Sequence, residues 1–278
     1  MVCSSRVYAN ITARLTEQIE PKKALGQHFL VDRNYCRRIV HFAGISKDDT
    51  VLEIGPGTGQ LTNELLKTAG YVIVVEFDRQ LVPLLRKRWS GPAARRLQIV
   101  EGDILEVSLP RLLPRKGIHL VANLPYNIAT LIIKKMTEIS DWFQSLTVMV
   151  QREVAERILA PCHDRNHGYF SVFVQYHYQL ERGFHVPPGA FSPLPGVVST
   201  VLKLTPCVAD AGAADWARLD PIVSRSFRHP RKTLFNNLRS LPIASEQLEE
   251  ALSACNIDRS RRPHQVSLEE FCCLAQVL

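Results

Sequence analysis

The chain has 278 residues, 46% of them hydrophobic, and a formal net charge of +7. This length allows one sizeable hydrophobic core and a smaller module, and the composition is that of a globular protein. It excludes a membrane-spanning protein, because no apolar run approaches the roughly 20 residues that cross a bilayer. Residues 1–20 lack the apolar centre of a secretory signal, so we expect a loose N-terminal arm or a short helix there.

The seven cysteines include no Cys-x-x-Cys motif, and their number is odd. This pattern predicts free thiols in a reducing compartment rather than a disulfide framework or a zinc site. Cys272 and Cys273, near the end of the chain, are expected to pack on a helix. We therefore expect a cytoplasmic protein without a metal.

From Thr50 the chain alternates short apolar runs with amphipathic stretches. The predicted strands are residues 50–54, 71–76, 97–100, 118–122 and 145–150, and the predicted helices are residues 60–68, 79–89, 128–139 and 152–159. Continuous apolar strands between helices predict a parallel sheet covered on both faces, which is a doubly wound α/β domain. Residues 170–178 fit a helix or a strand, and residues 184–186 and 197–204 are predicted strands.

A second, helical domain is predicted after a linker. Residues 207–214 are rich in Ala, Gly and Asp, which is typical of a linker. Beyond it, helical patterns cover residues 215–227, 232–238, 245–255 and 268–278. The predicted organisation is an arm (1–20), an α/β domain (21–206) and a small helical domain (207–278).

Three predicted strands end in groups suited to a nucleotide-like cofactor. Gly55-Pro56-Gly57-Thr58-Gly59 lies between a strand and a helix, where glycines permit a tight turn. A dinucleotide fingerprint requires glycine where Gln60 stands, which favours a methionine-type cofactor without a pyrophosphate. Glu76 is placed to accept hydrogen bonds from ribose hydroxyls, and Asp103 from an adenine amine. The alternative is that both acids cap the helices that follow.

Asn123-Leu124-Pro125-Tyr126 follows a fourth strand and is suited to grip a planar base. The Asn123 side-chain oxygen and the Leu124 carbonyl can accept both N–H groups of an adenine amine. Pro125 stiffens the turn, and Tyr126 can stack on the base. Phe191, in a proline-rich loop, either closes the other face of the base or packs in the core. The motif predicts methyl transfer from S-adenosylmethionine to a base nitrogen.

Basic residues cluster in two stretches without acids. The first comprises Arg79, Arg86, Lys87, Arg88, Arg95 and Arg96; the second comprises Arg225, Arg228, Arg231, Lys232 and Arg239. Either cluster alone is equally well explained as a solvated helix face. Beside a base-gripping motif, the two together favour a nucleic-acid partner.

These residues resemble the KsgA-type ribosomal small-subunit RNA adenine dimethyltransferases. The shared segments are residues 23–30, 53–59, 75–78, 102–103, 123–126, 150–154, 191–199 and 227–238. The resemblance implies a Rossmann-like class I methyltransferase domain, S-adenosylmethionine, and dimethylation of two adjacent adenines near the 3′ end of small-subunit rRNA. It assigns cofactor contacts to His28, Leu30, Gly55, Glu76, Asp103 and Asn123; His28 and Leu30 rest on the resemblance alone. It also implies that the helical domain helps to dock the ribosomal subunit.

The chain departs from the family pattern at two positions. Gly196 stands where a lysine is usual, and Tyr169 where an arginine often follows a glycine. The expected partner is the immature small ribosomal subunit, without membrane or DNA, and we expect a monomer. Three alternatives stay open: a large-subunit rRNA methyltransferase of the resistance type, a DNA adenine methyltransferase, and an assembly factor without catalysis. Leu124, where DNA enzymes usually carry proline, counts against the second.

Overall fold

The computed structural model describes residues 26–207 and 215–278, so the predicted arm and most of the predicted linker lie outside the described residues. The chain divides into two compact units. The sheet unit comprises the described residues up to Arg152 together with Glu181–Pro206, and the helical unit comprises Glu153–Leu180 and the described residues from Cys207 to Leu278. The sequence had assigned residues 153–180 to the α/β domain, whereas the structure groups them with the C-terminal helices.

A seven-stranded sheet organises the first unit. Its strands are β2 (Thr50–Ile54), β3 (Tyr71–Glu76), β4 (Leu97–Glu101), β5 (Ile118–Asn123), β6 (Phe143–Gln151), β7 (Tyr178–Val186) and β9 (Ser199–Pro206). Their order across the sheet is β4-β3-β2-β5-β6-β9-β7. The five strands β2 to β6 run parallel, as predicted. β9 pairs antiparallel with β6, so the sheet is mixed at this side. A separate short pair joins β1 (Phe29–Leu30) to β8 (Phe191–Ser192).

The helices of the sheet unit are α1 (Arg33–Ala43), α2 (Gln60–Thr68), α3 (Leu81–Arg88), α4 (Leu109–Leu112) and α5 (Ala129–Thr137). The helix α1 was not among the predicted elements. Its start and stop signals are nevertheless present, because the Asp32 side chain accepts a hydrogen bond from Asn34 N and Gly44 ends the helix with φ 73°. Four of its residues are buried at helical spacing, and they pack with β2 and α2 in one core: Cys36, Ile39, Val40 and Ala43.

The helical unit contains α6 (Arg152–Leu159), of which Arg152 belongs to the sheet unit, α7 (Tyr169–His177), α8 (Trp216–Ser226), α9 (Leu234–Leu238), α10 (Ser245–Ala254) and α11 (Leu268–Val277). Residues 170–178, which fitted a helix or a strand, therefore lie almost entirely in the helix α7. The core of the helical unit includes Leu219, Leu248 and Phe271, each fully buried. Tyr169, one of the two departures from the family pattern, donates a hydrogen bond to Asp220 at 2.6 Å within this unit.

The expectation of free thiols throughout is wrong for one pair. Cys255 follows α10 and Cys273 lies on α11, and the two form a disulfide with their Cα atoms 5.8 Å apart. Spacing along the chain did not reveal this bond, because packing of two helices brings the residues together. Cys36, Cys162 and Cys272 are free thiols.

The described residues contain neither a membrane-spanning helix nor a cluster of side chains that could bind a metal. No helix in residues 26–207 or 215–278 combines the length and apolar character needed to span a membrane. Across the same residues, no group of three or more His, Cys, Asp or Glu side chains comes close enough to hold a metal ion.

Candidate active site

A cavity of about 270 Å³ opens at the carboxyl ends of β2, β3, β4 and β5. The chain leaves β2 for β3 and β4, then returns to place β5 on the other side of β2. Such a reversal leaves a crevice between the two neighbouring strands, which is where open parallel sheets bind ligands. The residues predicted for the cofactor line this cavity, including Gly55, Glu76 and Asp103.

The glycine turn after β2 forms one wall. Gly55, Gly57 and Gly59 have φ values of 64°, 56° and 79°, which side chains other than glycine rarely adopt. A Cβ atom on Gly57 would lie 2.7 Å from the Phe29 ring, and one on Gly59 would lie 2.2 Å from the Trp89 ring. The turn therefore requires glycine at these two positions, and its bare backbone faces the cavity.

Glu76 is tied to this turn. One carboxylate oxygen accepts a hydrogen bond from Gly57 N at 3.1 Å, and the other accepts one from Asp78 N at 2.8 Å. Burial raises the pKa of Glu76. Asp103 also lines the cavity, and its Oδ1 accepts a hydrogen bond from Leu105 N at 2.8 Å. This bond holds a turn and does not cap a helix, because the N-cap of α4 is Ser108.

Glu53 is a cavity residue to which the sequence analysis gave no role. Its side chain is buried, and its Oε2 has no hydrogen-bond partner among the described residues. Burial, with a smaller contribution from the neighbouring Glu76, raises its pKa to about 8. In the sequence, Glu53 is an acid inside an apolar strand that leads directly into the glycine turn, a pattern that could have indicated a functional residue.

Asn123 and Tyr126 lie at the end of β5, on the cavity wall. The Asn123 amide nitrogen donates to the backbone oxygen of His28 at 3.2 Å, while its Oδ1 is buried without a partner among the described residues. The Tyr126 ring stacks on the His28 ring, with centroids 5.6 Å apart and planes inclined by 28°. The Tyr126 hydroxyl is hydrogen-bonded to the Ser199 hydroxyl at 2.6 Å. The arrangement presents a free acceptor beside an aromatic surface.

The structure brings together all but one of the predicted site residues. Leu124, Pro125, His28 and Leu30 line the cavity with the residues described above. Phe191 does not line it: its side chain is 3% exposed and packs in the core of the sheet unit. The reason is its pairing with Leu30 in the β1–β8 ladder. Gly196, the second departure, has open space where a Cβ would stand.

The strand order, the glycine turn and the cavity at the strand ends define a Rossmann-like class I methyltransferase fold, as predicted. A dimethyladenosine transferase from Plasmodium falciparum has this fold, with a TM-score of 0.75 at 24% identity over 89% of this chain and 96% of that one. The 23S rRNA methyltransferase ErmE is also similar, with a TM-score of 0.68 at 26% identity over 90% of this chain and 99% of that one.

The chain belongs to the ribosomal RNA adenine dimethylase family, whose model matches residues 8–278. Among its relatives, the ribosomal RNA small subunit methyltransferase A of Geobacter metallireducens is 40% identical over 268 residues, 94% of this chain and 97% of the relative. The protein of that name from Clostridium botulinum is 41% identical over 251 residues, 90% of each chain. The predicted family is confirmed.

Proposed function

We propose that this protein transfers methyl groups from S-adenosylmethionine to the exocyclic amines of two adjacent adenines near the 3′ end of small-subunit (16S) rRNA. The adenines lie in a hairpin loop, and the products are dimethyladenosines formed during ribosome biogenesis in the cytoplasm. The observation that carries the proposal is the buried, unpartnered Asn123 Oδ1 at the edge of the cavity. The names of the relatives support the small subunit as the substrate.

The cavity residues suit S-adenosylmethionine. Gly55 and Gly57 offer bare backbone on the cavity wall, where a Cβ on Gly57 would meet the Phe29 ring, and Glu76 offers a carboxylate for the ribose. Asp103, His28 and Leu30 also line the cavity and would contact the cofactor there. When bound, this cofactor supplies an electrophilic methyl group.

The chemical difficulty lies in the adenine amine, whose lone pair is delocalised into the ring. Hydrogen bonds from its two N–H groups to Asn123 Oδ1 and to the Leu124 carbonyl favour a tetrahedral nitrogen and localise that pair. Stacking on Tyr126 holds the base in line with the methyl group, at roughly 1–3 kcal/mol per base. Attack by the nitrogen would break the bond between the methyl carbon and sulfur and leave a neutral thioether. The alkylated nitrogen is acidic and would release its proton to water, so no strong general base is needed. Catalysis then consists of positioning and polarisation.

Replacement of Asn123 tests this function. Asn123→Ala should reduce methyl incorporation into unmethylated small subunits by at least about 100-fold, the range for loss of one polarising group. Asn34→Ala, which changes an exposed asparagine on α1, is the matched control and should leave incorporation unchanged. Mass spectrometry of the rRNA hairpin fragments identifies the products. Full activity of Asn123→Ala would refute the mechanism.

A second candidate function is methylation of the large subunit, favoured by the likeness to ErmE. Labelled methyl incorporation into each purified subunit distinguishes the two. We expect incorporation into the small subunit alone, and incorporation confined to the large subunit would reject our proposal.

A further inference from the structure

One loop holds both rings of the aromatic pair beside the cavity. His28 Nδ1 donates to the backbone oxygen of Pro193 at 2.9 Å, and the Tyr126 hydroxyl is bonded to Ser199 at 2.6 Å. Pro193 and Ser199 stand at the two ends of the segment 193–199, which we name the anchor loop. The stacked rings are thus fixed at their polar ends by a single short segment.

The anchor at Ser199 is rigid. Ser199 is the first residue of β9 and is fully buried, in register with Gln151 of β6. Directly before it, Val198 O accepts a hydrogen bond from Arg152 N at 2.9 Å. A buried hydroxyl must be hydrogen-bonded, and the side chain that meets this one is Tyr126. Between the anchors, in contrast, Leu194 is 69% exposed.

His28 links the aromatic pair to the polarising acceptor. Its backbone oxygen accepts the Asn123 amide N–H at 3.2 Å, which directs Asn123 Oδ1 away from that bond and leaves it unpartnered. The same residue presents its ring to Tyr126. The orientation of the amide and that of the stacking surface therefore depend on one residue, which the anchor loop holds in place.

We propose that Ser199 is a positioning residue for methyl transfer, which fixes the Tyr126 ring so that the target adenine stacks with its amine at Asn123 and Leu124. The inference rests on the proposed function and deepens it. Without its bond to Ser199, Tyr126 keeps its ring, but the ring gains freedom to swing about the Cα–Cβ bond, a motion that displaces the hydroxyl. Small misplacements of a reacting group cost about 100-fold in rate, so a partial loss of alignment should lower kcat measurably.

A double-mutant cycle tests the proposal. Ser199→Ala and Tyr126→Phe each delete one oxygen of the bond and leave the stacking ring in place. We expect each to lower kcat on small subunits by about tenfold, which is part of the full misplacement penalty. The double variant should be no slower than either single variant, since both remove the same interaction. Binding of S-adenosylhomocysteine, measured by calorimetry, should stay within about twofold of wild type.

Thr200→Val is the matched control. Thr200 is the next residue of β9 and is equally buried. Its hydroxyl shares a hydrogen bond with His185 Nδ1 at 2.9 Å. Its replacement removes a buried hydroxyl without touching the cavity. We expect a similar loss of thermal stability to that of Ser199→Ala, with kcat unchanged. A loss of kcat that tracks stability across all these variants would assign Ser199 a merely structural role.

Each outcome bears on one proposal. Unchanged kcat in Tyr126→Phe, or a double variant whose loss is the product of the single losses, overturns the positioning role. Should Ser199→Ala fail to fold, Tyr126→Phe alone decides, because it deletes the same bond from the half-buried partner. The activity of the wild-type protein on small subunits is measured first. If the wild-type protein does not methylate them, the proposed function is refuted, independently of any comparison between variants.

Discussion

The buried carboxyl of Glu53 should make the free energy of unfolding decrease as the pH rises from 4.5 to about 8. Its pKa is about 8 in the folded chain and 4.5 for an ordinary glutamate. Between these values the folded protein holds one more proton than the unfolded chain. The stabilisation that protonated Glu53 contributes is therefore complete below pH 4.5 and is lost as the pH rises through 8.

The size of the effect follows from the shift. One bound proton changes the free energy of unfolding by about 1–2 kcal/mol per pH unit, which sums to about 5 kcal/mol across the interval. Glu53→Gln keeps the shape of the side chain and carries no titrating group. The stability of this variant relative to wild type should therefore rise steadily from pH 5 to pH 8.

Urea denaturation at four pH values between 5 and 8, without cofactor, measures this difference. Subtraction of the two curves cancels the titration of groups common to both proteins. Glu106→Gln, which changes an exposed carboxylate in the same unit, is the control and should run parallel to wild type. A difference between Glu53→Gln and wild type that changes by less than about 1 kcal/mol over this range would show that Glu53 is ionised in the folded protein.

Three further outcomes follow from the structure. Gly59→Ala should lower the free energy of unfolding by about 2–4 kcal/mol, because its Cβ would meet the indole ring of Trp89 at 2.2 Å. Gly91→Ala, with a similar φ of 84° and open space around it, is the control and should lower it by about 1–2 kcal/mol. Equal losses of stability in chemical denaturation would refute the steric argument. Thiol titration of the unfolded, unreduced protein should find at most five thiols, since Cys255 and Cys273 are bonded, and seven would contradict that bond. Arg231→Ala, in the exposed basic cluster, should weaken binding to small subunits and lower the log–log salt slope by about 0.7–0.9, with an unchanged slope excluding a phosphate contact there.

The core of the fold could be predicted because its signals are local. Four of the five parallel strands are mostly buried and read as continuous apolar runs, and the predicted bounds of β2 and β3 match the structure. The helix α1 also carries local signals at Asp32 and Gly44, so its omission was avoidable. The antiparallel β9 was recognisable as a strand, but its direction depends on where the chain returns to the sheet, which periodicity does not encode.

Most of the site could be predicted for a related reason. Residues that follow parallel strands converge at one edge, so Gly55, Glu76, Asp103 and Asn123 were brought together by strand direction alone. The prediction for Phe191 at the target base did not rest on strand direction. This residue follows a loop, and the direction of its side chain is set by the pairing of β8 with the distant β1. Local pattern predicts which groups reach the cavity from strand ends, but not which way a loop side chain points.

The same distinction explains why the contacts that orient Asn123 were invisible in the sequence. The amide is held through His28, 95 residues earlier, and His28 is held by Pro193, 165 residues beyond it. Neither bond follows from spacing or composition, since both arise where separate segments meet. The bond to His28 fixes the orientation of the Asn123 amide and leaves Oδ1 as its free acceptor. In the proposed mechanism, the position of this acceptor therefore depends on the anchor loop as well as on the Asn123-to-Tyr126 motif.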